Sequence, residues 1–339
     1  MNELLSEPFE RLLADASPPD VVRQIEHGGS AAPLWARIEA SGFLDTLVPE
    51  AAGGAGLSLA EAFPLFLAEG RHALPVPLAH TMTVRAALAA EGLTAPPGMI
   101  AIAPLTRSTA EGAVFCPGTP YGTIVDWILA ATTEGWMLLA VADAERHVIG
   151  IHGSLRADLR WSRQPAGARA SQHLLPWQEA GAAIAAAHLA GAMERALQLT
   201  VAYANERVQF GRSIGKFQAI QHQIAVMAEH VFAAHMAAEL GFVAAEPLPQ
   251  KLRVAVAKAR ASEAAALVTS IAHAVHGAIG VTSEFDLQIY TRRIHEWRAD
   301  FGSEQYWNRI LGRALLTSDA GSALDFMRAE LVPPQEKTK

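Results

Sequence analysis

Cysteine is nearly absent: Cys116 is the single thiol in 339 residues. An internal disulfide is excluded, so a reducing, cytoplasmic setting is expected. With no second cysteine or histidine cluster beside it, the thiol reads as inert. Basic residues are too few for a phosphate-binding face. The 27 Lys and Arg against 34 Asp and Glu leave a net charge of −7, which argues against nonspecific nucleic-acid binding. Aromatic residues make up 7% of a chain that is 51% hydrophobic and rich in alanine, a balance that points to a mostly helical core. The N-terminus lacks the order of a signal peptide. Met1–Asp15, with Glu3, Glu7, Glu10, Arg11 and Asp15, reads as an amphipathic first helix. Long uncharged runs are scarce too. The longest, Ala264–Ser283, has the length of a membrane span but contains His273, His276, Gly277, Gly280 and several hydroxyls. It reads as a buried helix ending in a turn, and no membrane span is expected.

A chain of this length can bury a large core and divide into two or three domains. Residues 1–95 read as helical, broken at Ser17-Pro18-Pro19 and in the glycine-rich stretch Pro49–Gly56. Ser58 followed by Glu61 has the form of a capping box opening the next helix. The glycines before it lack the Gly-Lys-Ser/Thr ending of a phosphate-cradling loop, so a plain turn is the reading. In residues 96–175 the pattern shifts to short runs at Ile100–Ile102, Ala113–Phe115, Thr123–Ala131, Gly135–Ala142 and Arg146–Ile151. Separated by Gly, Pro, Asp and Thr, they read as strands of a small sheet with Trp127, Trp136 and Trp161 in its core. Residues 176–330 are helical again, and a tail, 331–339, is expected to be mobile. The fold class is mainly α with a small β-domain in the middle.

The densest chemistry lies at Glu206–Met227, ERVQFGRSIGKFQAIQHQIAVM. Upstream, Ala182–Asn205 holds no helix breaker but Gly191. Downstream, Ile220, Ile224, Met227 and Val231 share one helical face. Gly211 and Gly215 interrupt the helix and set Arg207, Phe210 and Gln218 around the connection. A guanidinium, a ring and an amide at one corner suit a flat, phosphate-bearing cofactor. An ordinary loop in a helical bundle is the alternative. A second segment runs as a helix from Pro249 to His276, then Gly277-Ala278-Ile279-Gly280-Val281-Thr282, Glu284 and Tyr290-Thr291-Arg292-Arg293. Gly277 stands where a helix C-terminus favours a left-handed residue.

Taken together, these segments resemble the acyl-CoA dehydrogenase family, flavoproteins that desaturate acyl-CoA thioesters. ERVQFG resembles the family's R-x-x-F-G stretch, which opens a C-terminal four-helix bundle and contacts the FAD of a neighbouring subunit. The resemblance gives Arg207, Phe210 and Gln218 those cofactor contacts. Pro49–Leu57 resembles a P-E-x-x-G-G-x-G turn of the N-terminal helical domain, and Glu69-Gly70-Arg71 with Leu74-Pro75-Val76-Pro77 is typical there too. His276–Thr282 is similar to a Q-x-H-G-G-x-G-x-T-x-E…R pattern that runs along the flavin pyrophosphate, with Ala274 and Ala278 in place of Gln and the second Gly. This implies that Gly277 and Gly280 bind cofactor and that His276 is structural. Ser303, Gln305 and Trp307 match positions that line the flavin. The β-domain is short and lacks the T-E-P-x-x-G-S-D-like loop, of which Ala103–Arg107 is the nearest remnant. The chain alone is therefore expected to retain little FAD.

The family removes the substrate α-proton with a Glu at one of two positions, and these fall on Phe301 and Gly181. Neither is a carboxylate. Asp300, beside Phe301, is the candidate catalytic carboxylate on this chain, with Glu304 and Glu179 as further stand-ins. A one-residue shift on a helix turns a side chain by about 100°, so the favoured account is that a partner supplies the base. That fits α2β2 acyl-CoA dehydrogenases built from unlike chains, including those resembling steroid side-chain enzymes; a homo-oligomer is the other arrangement. An acyl-CoA substrate and an electron-transfer acceptor are implied. A scaffold subunit that only completes a partner's flavin site is the alternative function. A carboxylate di-iron centre would need two Glu-x-x-His pairs; Glu69 to His72 is a single one, and no metal is expected.

Overall fold

Alanine- and glycine-rich helices pack backbone against backbone in this chain. The computed structural model describes residues 2–109, 112–163, 168–244 and 248–332. Residues 333–339 of the expected mobile tail lie outside the described residues. Five helices come first: α1 (Asn2–Ala16), α2 (Pro19–Glu26), α3 (Ala32–Ala40), α4 (Leu59–Arg71) and α5 (Leu78–Ala90). Ser58 caps α4 as its sequence requires. Its hydroxyl accepts from the Glu61 N–H at 3.3 Å, and the Glu61 carboxylate accepts from the Ser58 N–H at 2.9 Å. The glycine-rich turn before it uses its amides internally. Ala55, Gly56 and Leu57 donate to the carbonyls of Asp45, Val48 and Thr46 at 3.1, 2.9 and 2.9 Å, so those N–H groups are not free to bind a phosphate.

Eight strands follow: β1 (Ile100–Ile102), β2 (Arg107–Ser108), β3 (Val114–Thr119), β4 (Trp127–Thr132), β5 (Gly135–Ala140), β6 (Glu145–Val148), β7 (Ala157–Trp161) and β8 (Arg169–Ser171). They form two four-stranded sheets, ordered β1-β4-β5-β8 and β2-β3-β7-β6. β1 pairs parallel to β4 and the other pairs are antiparallel. Three expected strands are shorter than their hydrophobic runs. The run from Gly135 ends at Ala140, where Val141–Asp143 form a 3-10 turn. Thr123–Val125 belong to a turn set by Tyr121 (φ 57°) and tied down by Thr123 Oγ1, which donates to Leu155 O at 3.1 Å. The run from Arg146 leaves the sheet after Val148, near Gly150 (φ 99°). Trp136 and Trp161 are buried in the core as expected. Trp127 is not: it lies half-buried at a sheet margin, where its Nε1–H donates to Pro97 O at 3.0 Å.

The remainder is α6 (Trp177–Glu206), a hairpin of β9 (Val208–Gln209) and β10 (Arg212–Ser213), then α7 (Gln218–Gly241), α8 (Lys251–His276), α9 (Leu287–Ala299), α10 (Glu304–Thr317) and α11 (Ala323–Glu330). The chain is thus mainly helical with a small β-domain between helical parts. α6 is the axis and packs against α4, α7, α8 and α9. Glycine sets its distance from α4. A Cβ on Gly191 would lie 2.0 Å from Leu67 O, and one on Gly70 would lie 2.3 Å from His188 O, so either side chain would force the helices apart. Lys251–Val281 is apolar and long enough to cross a membrane by length and composition. In the fold its helix is wedged among α6, α7, α9 and α10.

Candidate functional site

The turn between α9 and α10 holds two consecutive left-handed residues, Phe301 (φ 53°) and Gly302 (φ 99°). For a bulky residue such as Phe301 that conformation costs on the order of 1–2 kcal/mol. Hydrogen bonds to its backbone offset the strain: Phe301 O accepts from Gln178 Nε2 at 2.7 Å and from Trp307 Nε1 at 3.0 Å. The buried ring then lies against α6 where Gly181 has no side chain. A Cβ on Gly181 would sit 2.2 Å from the ring's Cε1. The two positions at which the family pattern carries its base therefore face each other, and an apolar ring fills the space between them.

The neighbouring carboxylates are each engaged by a cation. Asp300 is 5% exposed and forms an ion pair with Arg156, whose Nη1 also donates to Gly118 O at 2.7 Å. The pair ties the β-domain to the end of α9. Glu304 accepts from Arg298 at 2.5 and 3.2 Å, and these bonds hold its carboxyl below the usual range. A base for an α-proton needs a shift in the opposite direction. Glu179 lies 3.7 Å from Lys251 Nζ.

On the cofactor side, the hairpin turns through Phe210 (φ 51°) and Gly211 (φ 78°), the positive pair of a tight two-residue turn. Phe210 is 93% exposed at its tip. Arg207 caps the end of α6 and Gln218 begins α7, so the hairpin brings both near its base, and both are exposed. Gly277 ends α8 at φ 65°, and a Cβ built there meets nothing within 4 Å. Gly280 is different: it is buried, and its Cβ would lie 2.9 Å from His276 Cβ. His276 stacks on Tyr203 with ring centroids 4.5 Å apart, and its Nδ1 pairs with Ala272 O at 2.7 Å. That is a packing role. Ser303 sits at the N-cap of α10 and Gln305 is exposed beside it. Trp307, expected to line a flavin, is instead fully enclosed and holds Phe301 O.

Sequence reasoning missed a buried set behind this turn. Glu69 and His72 part company: His72 Nε2 meets Glu10 at 2.8 Å, whereas Glu69 turns inward, accepts from Ala79 N–H at 3.1 Å and lies 3.3 Å from His188 Nε2. Burial pushes the Glu69 carboxyl well above the usual range and pushes His188 and His80 down to about 3. Burial thus disfavours the charged form of both groups. A raised carboxyl is what a base requires, but His188 is seven residues from Gly181 along α6, roughly 10 Å. Glu69 is neither of the two positions at which the family pattern carries its base.

Residues 178–316 match the family profile described as the acyl-CoA dehydrogenase C-terminal domain. The acyl-CoA dehydrogenase IpdE2 of Mycolicibacterium smegmatis is 32% identical over 303 residues, covering 86% of this chain and 92% of that one. The chain belongs to the acyl-CoA dehydrogenase family. Solved structures carry the same fold. The ChsE4-ChsE5 complex from Mycobacterium tuberculosis aligns with a TM-score of 0.83 at 22% identity, over 94% of this chain and 98% of the matched one. A variant of the Tcur3481-Tcur3483 steroid ACAD gives 0.78 at 25% identity, over 93% and 97%. The matched residues 178–316 include the hairpin, the α8 terminus and the α9–α10 turn.

Proposed function

We propose that this acyl-CoA dehydrogenase is one subunit of an FAD-dependent enzyme that desaturates the α,β bond of an acyl-CoA thioester, and that an unlike partner chain supplies the catalytic base. One observation carries the reading: Phe301 fills the space in front of Gly181, so neither family base position offers a carboxylate. Abstracting the α-proton needs a buried carboxylate of raised proton affinity within reach of the substrate, and a phenyl ring cannot accept the proton. When bound, FAD would supply the acceptor for the hydride that leaves the substrate β-carbon. The residues of this chain contribute binding. Arg207 would pair with the pyrophosphate, Gly277 offers backbone uncovered by a side chain, and Gln218, Ser303 and Gln305 offer polar groups. An exposed aromatic at a hairpin tip, as Phe210 is, supports a cofactor site completed between two chains. The Asp300–Arg156 pair supports a structural use for the carboxylate next to Phe301.

The two-component ChsE4-ChsE5 complex supports an unlike partner. The steroid ACAD supports a bulky, steroid-like acyl group, an argument by analogy of fold and family. An electron-transfer protein would reoxidise the flavin. The test is purification of the chain alone and with an unlike homologue encoded beside it. Little visible flavin absorbance is expected from the chain alone, with stoichiometric flavin and acyl-CoA desaturation from the pair. Stoichiometric flavin together with turnover by the isolated chain would overturn the proposal.

A further inference from the structure

Lys258 stands in the middle of α8 with no solvent exposure, a rare position for a lysine without a charged partner. Its ammonium meets three oxygens, none of them a carboxylate: Ser262 Oγ at 2.9 Å, Arg298 O at 2.8 Å and Gly302 O at 3.0 Å. Each of its three N–H groups therefore has one acceptor. Arg298 O is among the last carbonyls of α9, which have no partner within the helix and attract a cation. Gly302 O lies on the far side of the left-handed pair. One side chain thus grips the α9–α10 turn before and after Phe301.

We propose that Lys258 is the positioning residue of this turn: its charged ammonium holds the carbonyls of Arg298 and Gly302 and thereby sets Phe301, Ser303 and Gln305 in place. The other contacts do less. Gln178 and Trp307 both bond the single carbonyl of Phe301, Arg156 holds the Asp300 side chain and, at 3.4 Å, Glu296 O, and Ser262 Oγ reaches Arg298 O only at 3.4 Å. Without Lys258, Gly302 O would lose its side-chain donor and Arg298 O would keep only the 3.4 Å bond from Ser262 Oγ, so the turn would be free to relax. The charges acting on Lys258 are Asp300 and Glu304, which favour its ammonium, and Arg298, which opposes it. Burial is the largest influence and brings its pKa down to about 7. Deprotonation leaves two N–H groups for three acceptors, so the grip weakens as pH rises through that value.

The test is amide hydrogen exchange on the full chain, read on peptides covering residues 298–303 and, as a control, 264–275. It needs neither flavin nor partner, so its outcome is separate from that of the proposed function. In Lys258→Gln the 298–303 amides should lose roughly tenfold in protection while the control peptide stays within about twofold. In the wild type, after correction for the intrinsic exchange rate, protection of 298–303 should step down several-fold as pH passes about 7, and the variant should show no step. A lysine that merely fills space predicts instead an equal loss in both peptides and no step. Either that pattern or unchanged protection of 298–303 in the variant would overturn the proposal. Should the variant fail to fold, Lys258→Met read on the same two peptides decides, and unchanged protection of 298–303 or an equal loss in both peptides refutes the clamp.

Discussion

Gly181→Ala is the sharpest probe of the packed base positions, because two effects on it have opposite signs. In a helix interior, alanine is favoured over glycine by roughly 1 kcal/mol. Residue 181 lies in α6, so propensity alone predicts stabilisation. The new methyl, however, would stand 2.2, 2.3 and 2.4 Å from three atoms of the Phe301 ring. Carbon contacts are comfortable at about 3.5–4.0 Å, so the overlap exceeds 1 Å. The ring cannot simply retreat, since the carbonyl of its own residue is held by Gln178 and Trp307. Overpacking of this kind costs roughly 1–3 kcal/mol, and somewhat more where the backbone resists. The overlap should win, leaving a net destabilisation of about 1–2 kcal/mol. A double-mutant cycle isolates the contact. Phe301→Ala alone opens a cavity at a cost of roughly 3–5 kcal/mol, and adding Gly181→Ala to it should no longer hurt, giving a coupling of at least about 1 kcal/mol. Thermal unfolding of the full chain by circular dichroism, at one scan rate, measures all three variants. A Gly181→Ala variant that melts above the wild type, or strictly additive effects, would show that residues 181 and 301 do not share one space.

Three further outcomes follow from the same geometry. Arg207→Ala should weaken flavin retention by the partner complex by roughly 2–5 kcal/mol, the cost of truncating one side of a buried charge pair; unchanged flavin content on gel filtration would remove Arg207 from the cofactor site. In that complex Asp300→Asn and Glu179→Gln should each keep turnover within about threefold, under about 1 kcal/mol of barrier. Asp300→Asn should nonetheless lower stability by roughly 3–5 kcal/mol because Arg156 loses its partner, and abolished turnover with flavin still bound would mean that Asp300 is the base. The bond to Glu194 raises the pKa of His235 above 6.5, so its contribution to stability is complete below that pH and is lost as pH rises through the folded value. Melting temperatures across this range should fall in the wild type and flatten in His235→Gln; equal slopes would count against the pair.

What the sequence could reveal depended on the range of the interaction. Local chemistry was legible: Ser58 and Glu61 form the expected capping box, and Gly277 closes α8 as a left-handed residue. The face of α7 was legible by period, with Met227 and Val231 fully buried. Strand ends were less so, because the hydrophobic run from Thr123 continues through a turn whose cause, the positive φ of Tyr121, leaves no mark in composition. β7 was missed although Ala157, Leu159 and Trp161 alternate inward, a usable signal in five residues. Trp127 carries the same letter as Trp136 but is the first residue of its strand and only half-buried. Long-range polar contacts were not legible at all. Arg156 meets Asp300 across 144 positions and Lys258 reaches Gly302 across 44. Lys258 follows an apolar run, Val254–Ala257, but Arg260 and Glu263 come soon after it, so the sequence does not mark it as the charge that turns inward.

The two departures at the base positions are better understood as one packing arrangement than as two losses. The side chains that hold the α9–α10 turn by its backbone grip carbonyls: Gln178 and Trp307 at Phe301, Lys258 and Ser262 at Arg298, and Lys258 at Gly302. None of them touches the side chain at 301, so the turn can keep its left-handed path whatever that side chain is. An acid there would need solvent, substrate or a hydrogen-bond donor to offset its burial. A phenyl ring needs only apolar space, and α6 provides it where residue 181 lacks a Cβ. Any side chain at 181 would take that space back, a carboxylate most of all, since it would be pressed against the ring face with its charge unsolvated. The ring at 301 thus requires glycine at 181, and glycine at 181 leaves room for the ring. Restoring an acid at one position therefore requires changing both, and a single Gly181→Glu substitution should yield a misfolded turn rather than a working base.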